Sequence, residues 1–263
     1  MKDLTEEFEK RFEVVHVTTP ELRRELFQLR YQVFCCQMEL PGFEPWRYPS
    51  GEETDVYDAR SVHCVLRHRP TNGIAGAVRL VLADAEDPNA LFPLESYCTR
   101  YAGFCPTALD GVPRERVAEI SRLFVARQFG GATPGGAAQG GANRGAATDL
   151  FPYPILGLLK AVFEMSARNA VTHLYAIMEP QLNRLLRVLR LSFNPVGPAF
   201  ECHGWRQPHL GVIRQVLAKT RRERPRAWEV LTGGAELPAE EGAAGPDFVS
   251  GEEGTPCAGT AAG

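Results

Sequence analysis

The chain has 263 residues, 44% of them hydrophobic and 23% charged, with a formal net charge of −3. That length and composition suit a globular core, and they exclude a whole-protein electrostatic pull toward nucleic acid or an anionic membrane, so any basic site must be local. Seven cysteines with no CxxC pair exclude the usual metal-ligand spacings and give no sign of a disulfide framework.

The charged opening MKDLTEEFEK does not read as a signal peptide. The longest apolar stretch, Ile155 to Ala167, is interrupted by Lys160 and Glu164 and is too short to span a bilayer. A cytoplasmic protein with free thiols is expected.

In chain order, Phe12 to Thr18 reads as a strand. Thr19-Pro20-Glu21 then supplies an N-cap, a proline at the first helical position and an early acid. The helix that follows carries a Leu22, Leu26, Leu29, Val33 stripe at helical spacing. Residues 61–69 and 74–83 are β-rich and flank Pro70-Thr71-Asn72-Gly73, a hairpin signal. Val117 to Ala126 reads as a strand, Pro154 to about Asn169 as an amphipathic helix, and Val171 to Met178 as a buried strand. A basic helix runs from Pro180 to Arg190. The Gly/Ala-rich run at about 130–149 and the tail 233–263 lack the apolar content to offset ordering entropy, and are expected to be disordered. The run also lacks the GK[ST] ending of a Walker loop. The expectation is one α/β (α+β) domain over 1–232, with a mixed central sheet flanked by helices.

Charges occur where burial is expected. Arg30 and Phe34 lie one turn apart on the first helix, and Asp55 and Asp58 share a turn before a strand. Arg79 interrupts an apolar strand, and Glu119-Ile120-Ser121-Arg122 repeats the pattern. Met178-Glu179-Pro180 ends the next strand. Singly, each has a plain account: a solvated Arg, or an Asp pair capping amides. Together they can balance, with Asp55, Asp58 and Glu119 supplying carboxylates for Arg30, Arg79 and Arg122, since buried charges need partners. Such a cluster suits a polar, amino-acid-like acceptor.

Arg30 with Phe34, the DxxD pair Asp55/Asp58, Arg79 and the ExSR quartet resemble the motif set of acyl-homoserine-lactone synthases. More of the chain is similar to the acyltransferase associated with PEP-CTERM/exosortase systems, a relative of the N-acyl amino acid synthases. That resemblance spans most of 8–220 and includes Thr172 to Pro180, Asn194-Pro195-Val196-Gly197-Pro198 and His203 to Pro208. It implies a GNAT fold and transfer of a fatty acyl group to a small amine or amino acid. The donor would be the phosphopantetheine thioester of acyl-carrier protein, or acyl-CoA, with no bound cofactor, metal or nucleic acid. The lactone synthases carry a Trp where this chain has Leu40, and the segment from Phe34 to Asp55 is longer here. A lactone product is therefore not expected.

By that resemblance Glu119, directly or through water, takes the amine proton, with Ser121 and Arg122 beside it. Arg30, Phe34, Asp55, Asp58 and Arg79 hold the acceptor. The thioester oxygen meets backbone N–H groups near Phe124 and Val125, and the acyl chain lies against Phe163 and Met178. In a regular strand Glu119 and Ser121 share one face and Arg122 points to the other. Either a β-bulge brings Arg122 round, or Arg122 pairs elsewhere as a structural residue. Arg184, Arg187 and Arg190 recur every three residues on the basic helix: a solvated face, or a docking patch for acidic acyl-carrier protein.

Overall fold

The structure, a computed structural model, describes residues 4–102, 109, 111–130, 153–202 and 204–234. Apart from Gly130, Gly233 and Gly234, the expected insertion and tail lie outside the described residues, as does His203.

A first helix, α1 (Leu4–Arg11), leads into strand β1 (Phe12–His16). Thr19 caps α2 (Pro20–Arg30), its hydroxyl accepting from the Leu22 N–H at 3.2 Å. The helix then widens into π-helical turns over Tyr31–Gln37. Strands β2 (Ser61–His68) and β3 (Gly73–Leu82) form the expected hairpin, with Asn72 in the left-handed region. A short helix α3 (Pro93–Tyr97) precedes β4 (Val117–Val125). Helix α4 (Tyr153–Arg168), strand β5 (His173–Met178) and helix α5 (Pro180–Val188) follow as read from the sequence. Strands β6 (Asn194–Pro195), β7 (Phe200–Glu201) and β8 (Trp205–Val212) and helices α6 (Ile213–Glu223) and α7 (Pro225–Thr232) are the last elements among the described residues.

The sheet runs β1-β2-β3-β4-β5-β8-β6, with β7 beside β8. Every pairing is antiparallel except β4 with β5. This is the expected mixed sheet flanked by helices. Alternation along the strands separates two faces. Val78, Leu80, Ala118, Leu174, Ala176 and Met178 share a core with α4, while Ala77, Val81, Val117 and Tyr175 face the other side. The β4–β5 ladder ends at Ile120↔Ala176. Past it, β4 pairs only with β3, and Ile177 and Met178 pair only with β8. The sheet therefore parts at its centre. Among the described residues no helix is long and apolar enough to cross a membrane.

Candidate active site

The parting of β4 from β5 coincides with a break in the β3–β4 register. Arg79 pairs with Ser121 and Ala77 with Phe124, so Val78 alone faces both Arg122 and Leu123. That is a β-bulge, and Arg122 takes the left-handed conformation with φ +50°. A non-glycine residue there is strained and persists only where its surroundings hold it. The bulge turns the Arg122 side chain onto the face that bears Arg79 and Ser121. The structure thus realises the first of the two arrangements open from the sequence.

Three guanidiniums and three carboxylates close into a ring on that face. Arg30 donates from Nε to Glu53 and from both terminal nitrogens to Asp58, at 2.8 and 3.2 Å. Asp58 also accepts from Arg79 at 2.9 Å. Arg79 reaches Asp55 through two nitrogens, the longer bond 3.0 Å, and donates from Nε to Ser121 Oγ at 2.9 Å. Asp55 accepts from Arg122 at 2.8 Å, and Arg122 returns to Glu53 at 2.9 Å. Each charge has two neighbours of opposite sign, which is what allows Arg30, Arg79 and Glu53 to be fully buried. Burial alone would raise all three carboxyls, and the guanidiniums outweigh it. Arg122 and Arg30 hold Glu53 below the usual carboxylate range, Arg79 and Arg122 do so for Asp55, and Arg30 and Arg79 for Asp58. The plain account of the Asp pair also holds, since Asp55 accepts from Tyr57 N and Asp58 from Asp55 N as a capping box.

Glu53 is the residue that sequence reasoning missed. It sits in a stretch with no regular structure, where periodicity carries no signal. The available clue was its place two residues before the DxxD pair. Glu119, assigned from the sequence as a partner for one of the arginines, is corrected by this arrangement. Its Oε2 accepts from the Leu94 N–H at 2.7 Å at the start of α3, and Glu53 takes its place in the charge balance. Glu119 is nonetheless buried in the wall of the same cavity as Asp55, Arg79, Ser121 and Arg122. Burial pushes its carboxyl up to about 8, partly offset by the Leu94 N–H and by Arg79. A carboxylate with that affinity can accept a proton from an ammonium group far better than an ordinary one.

The cavity, about 170 Å³, crosses the sheet where β4 and β5 part. Its polar end holds the groups just named together with Tyr57 and Tyr97, and its apolar end holds Leu159, Met178, Leu182, Leu186 and Phe193. Phe34 lines it and packs edge-on against Phe124, with ring centroids 5.4 Å apart. Arg122 lies over Phe43, 4.8 Å from the ring centroid. Of the residues expected at the thioester and acyl chain, Phe124 and Met178 line the cavity. Val125 and Phe163 do not: Val125 is one residue beyond its wall, and Phe163 projects from α4 into the core. Arg30, Glu53 and Asp58 also stand behind the wall rather than in it, so they position Arg79, Arg122 and Asp55. Leu40 lines the cavity, whereas Trp46 is 76% exposed and outside it. Arg184, Arg187 and Arg190 edge a separate groove with Arg224 and His209, which Met178 joins to the main cavity. Cys64 faces the opposite core, and burial pushes its thiol up to about 12, unsuited to a nucleophile.

Residues 29–133 match the model of the acetyltransferase (GNAT) domain, a span that contains the whole ring and Glu119. No curated protein matches the chain. Among solved structures, BjaI, a CoA-dependent acyl-homoserine lactone synthase, is similar over 80% of this chain and 88% of its own, with TM-score 0.53 and 19% identity. The AHL synthase LasI is similar over 87% of this chain and 98% of its own, with TM-score 0.51 and 17% identity. FeeM, an N-acyl amino acid synthase from uncultured soil microbes, is similar over 80% of this chain and 95% of its own, with TM-score 0.50 and 12% identity. At these identities the likeness establishes the fold. The fold is GNAT-like, and residues 29–133 resemble an acetyltransferase (GNAT) domain.

Proposed function

We propose that the chain is a cytoplasmic N-acyltransferase that moves a fatty acyl group from an acyl-carrier protein thioester to the amine of an amino acid or similar small acceptor. One observation carries the reading: one edge of a balanced charge ring, Asp55, Arg79 and Arg122, and a proton-accepting carboxyl, Glu119, share a cavity with an apolar end across the sheet. An amino-acid-like acceptor needs charged partners, an acyl chain needs apolar walls, and amide formation needs a base between them. Asp55 and Arg122, the partly exposed members of the ring, face the acceptor with Ser121. Glu119 takes the ammonium proton. The freed nitrogen lone pair attacks the thioester carbon and forms the C–N bond, the nitrogen's second proton passes to the sulfur as the C–S bond breaks and the free thiol leaves, and Glu119 returns the first proton to solvent. Backbone N–H groups near Phe124, where β4 has no β5 partner, receive the developing oxyanion. Arg184, Arg187 and Arg190 receive the acidic carrier beside the groove that adjoins Met178.

The test incubates the purified chain with acyl-carrier thioesters or acyl-CoA and pooled amino acids, and searches for new amides by mass spectrometry. Amide from the carrier donor supports the full reading. Amide from acyl-CoA alone replaces the donor. Thioester hydrolysis without amide, from both donors, overturns the transferase.

A further inference from the structure

The geometry points to Phe193, seated on Gly211, as the stop that sets how long an acyl chain the cavity accepts. The inference rests on the acyl-transfer reading for what fills the apolar end. Phe193 lines the cavity on the face covered by α4, opposite the charge ring. It does so from above β8, two strands beyond β4 in the sheet order, or about 10 Å at normal strand spacing. The ring thus closes the cavity on its β8 side, across the sheet and two strands from the strand that carries Glu119. It is 6% exposed, and its place exists because residue 211 has no side chain. A Cβ at Gly211 would lie 2.5 Å from Phe193 Cε1 and 2.6 Å from Cδ1. Real Cβ atoms do not approach so closely, so the ring would have to shift off β8. Interiors are packed too tightly to absorb such a shift without cost, and the open space is the cavity itself. The depth of the acyl pocket therefore depends on a phenylalanine held back by a glycine.

The experiment measures binding of S-alkyl pantetheines of graded chain length, which cannot react, by the wild-type protein and by Phe193→Ala, Phe193→Leu and Gly211→Ala. Thermal melting and circular dichroism establish that each variant is folded. Wild type is expected to show a sharp loss of affinity beyond one chain length. Phe193→Ala moves that cut-off to longer chains, Phe193→Leu moves it less, and Gly211→Ala moves it to shorter chains. Product lengths from the transfer assay should move in the same order. An unchanged cut-off in folded Phe193→Ala and Phe193→Leu, or no binding of any length by wild type, overturns the stop. A cut-off that moves as expected in a protein that forms no amide leaves the stop standing and removes the transferase reading. Amide formation with unmoved product lengths does the reverse.

Discussion

Arg122 meets Glu53 across 69 residues of chain because its own backbone turns to φ +50° at the β4 bulge. Strain and ion pair are thus two halves of one arrangement, and they can be separated. Arg122→Ala loses the guanidinium and keeps the strained conformation, whereas Arg122→Gly loses the guanidinium and the strain together. The glycine variant should be the more stable by about 1 kcal/mol. Chemical denaturation of the pair checks this, and an alanine variant of equal or greater stability contradicts a left-handed residue at 122.

Glu53→Gln keeps the shape and removes one of the three negative charges from the ring. Arg30, buried with Glu53 and Asp58, is left with a single ionised partner. A loss of about 3–5 kcal/mol is expected from breaking a buried pair on one side. Denaturant unfolding with a constant m-value would measure it.

Arg79 is 1% exposed and ties Asp55, Asp58 and Ser121 together, so Arg79→Ala bears on stability as well as on turnover. Its loss should abolish amide formation and also cost about 3–5 kcal/mol. A melting temperature equal to wild type would show that the ring closes without it.

The pH behaviour of Glu119 has two signs to check. As a base it must be ionised, so kcat/KM should rise as pH passes about 8, the position to which burial moves this carboxyl. As a folded-state group it is raised from 4.5 to about 8, so the folded protein holds more protons than the unfolded one in that window. Its contribution to stability therefore falls as pH rises from 4.5 to about 8. The ring carboxyls are depressed and act oppositely: their contribution is present above the ordinary carboxylate range and is lost only as pH falls well below it. Glu119→Gln should remove activity and flatten the stability slope between 4.5 and about 8. A variant with the wild-type slope contradicts the raised affinity.

Replacing Arg184, Arg187 and Arg190 together by Gln should raise KM for a carrier donor roughly tenfold at low salt and flatten its salt dependence. Transfer from a short acyl-pantetheine should be unaffected. Equal losses with both donors would place these arginines outside carrier docking.

Strands β1 to β5 were legible because their patterns are local, whereas β6, β7 and β8 were not read from the sequence. The Thr19 cap, the turn at Pro70 to Gly73 and the apolar runs around Arg79 and Val171 to Met178 each occupy a few consecutive residues. The charges inside strands were legible too, as violations of the apolar pattern, and the misfit of Arg122 with Glu119 and Ser121 raised the bulge in advance. What escaped was pairing across distance. Glu53 lies in an irregular segment and shows its role only when Arg30 and Arg122 close on it. The approach of Phe193 to Gly211 joins a loop to a strand, and neither residue is unusual in its own surroundings.

The parting of β4 from β5 has a kinetic consequence. An amide made there would have its head among the charges on one face of the sheet and its tail among the leucines on the other. To leave, it must draw one half through the gap between two strands. A tail moves through apolar walls more easily than a charged head does, so departure would proceed by withdrawal of the chain toward the ring side. Each added methylene then lengthens the path and deepens the hold, and with long chains the escape of the product, rather than formation of its amide bond, would govern turnover.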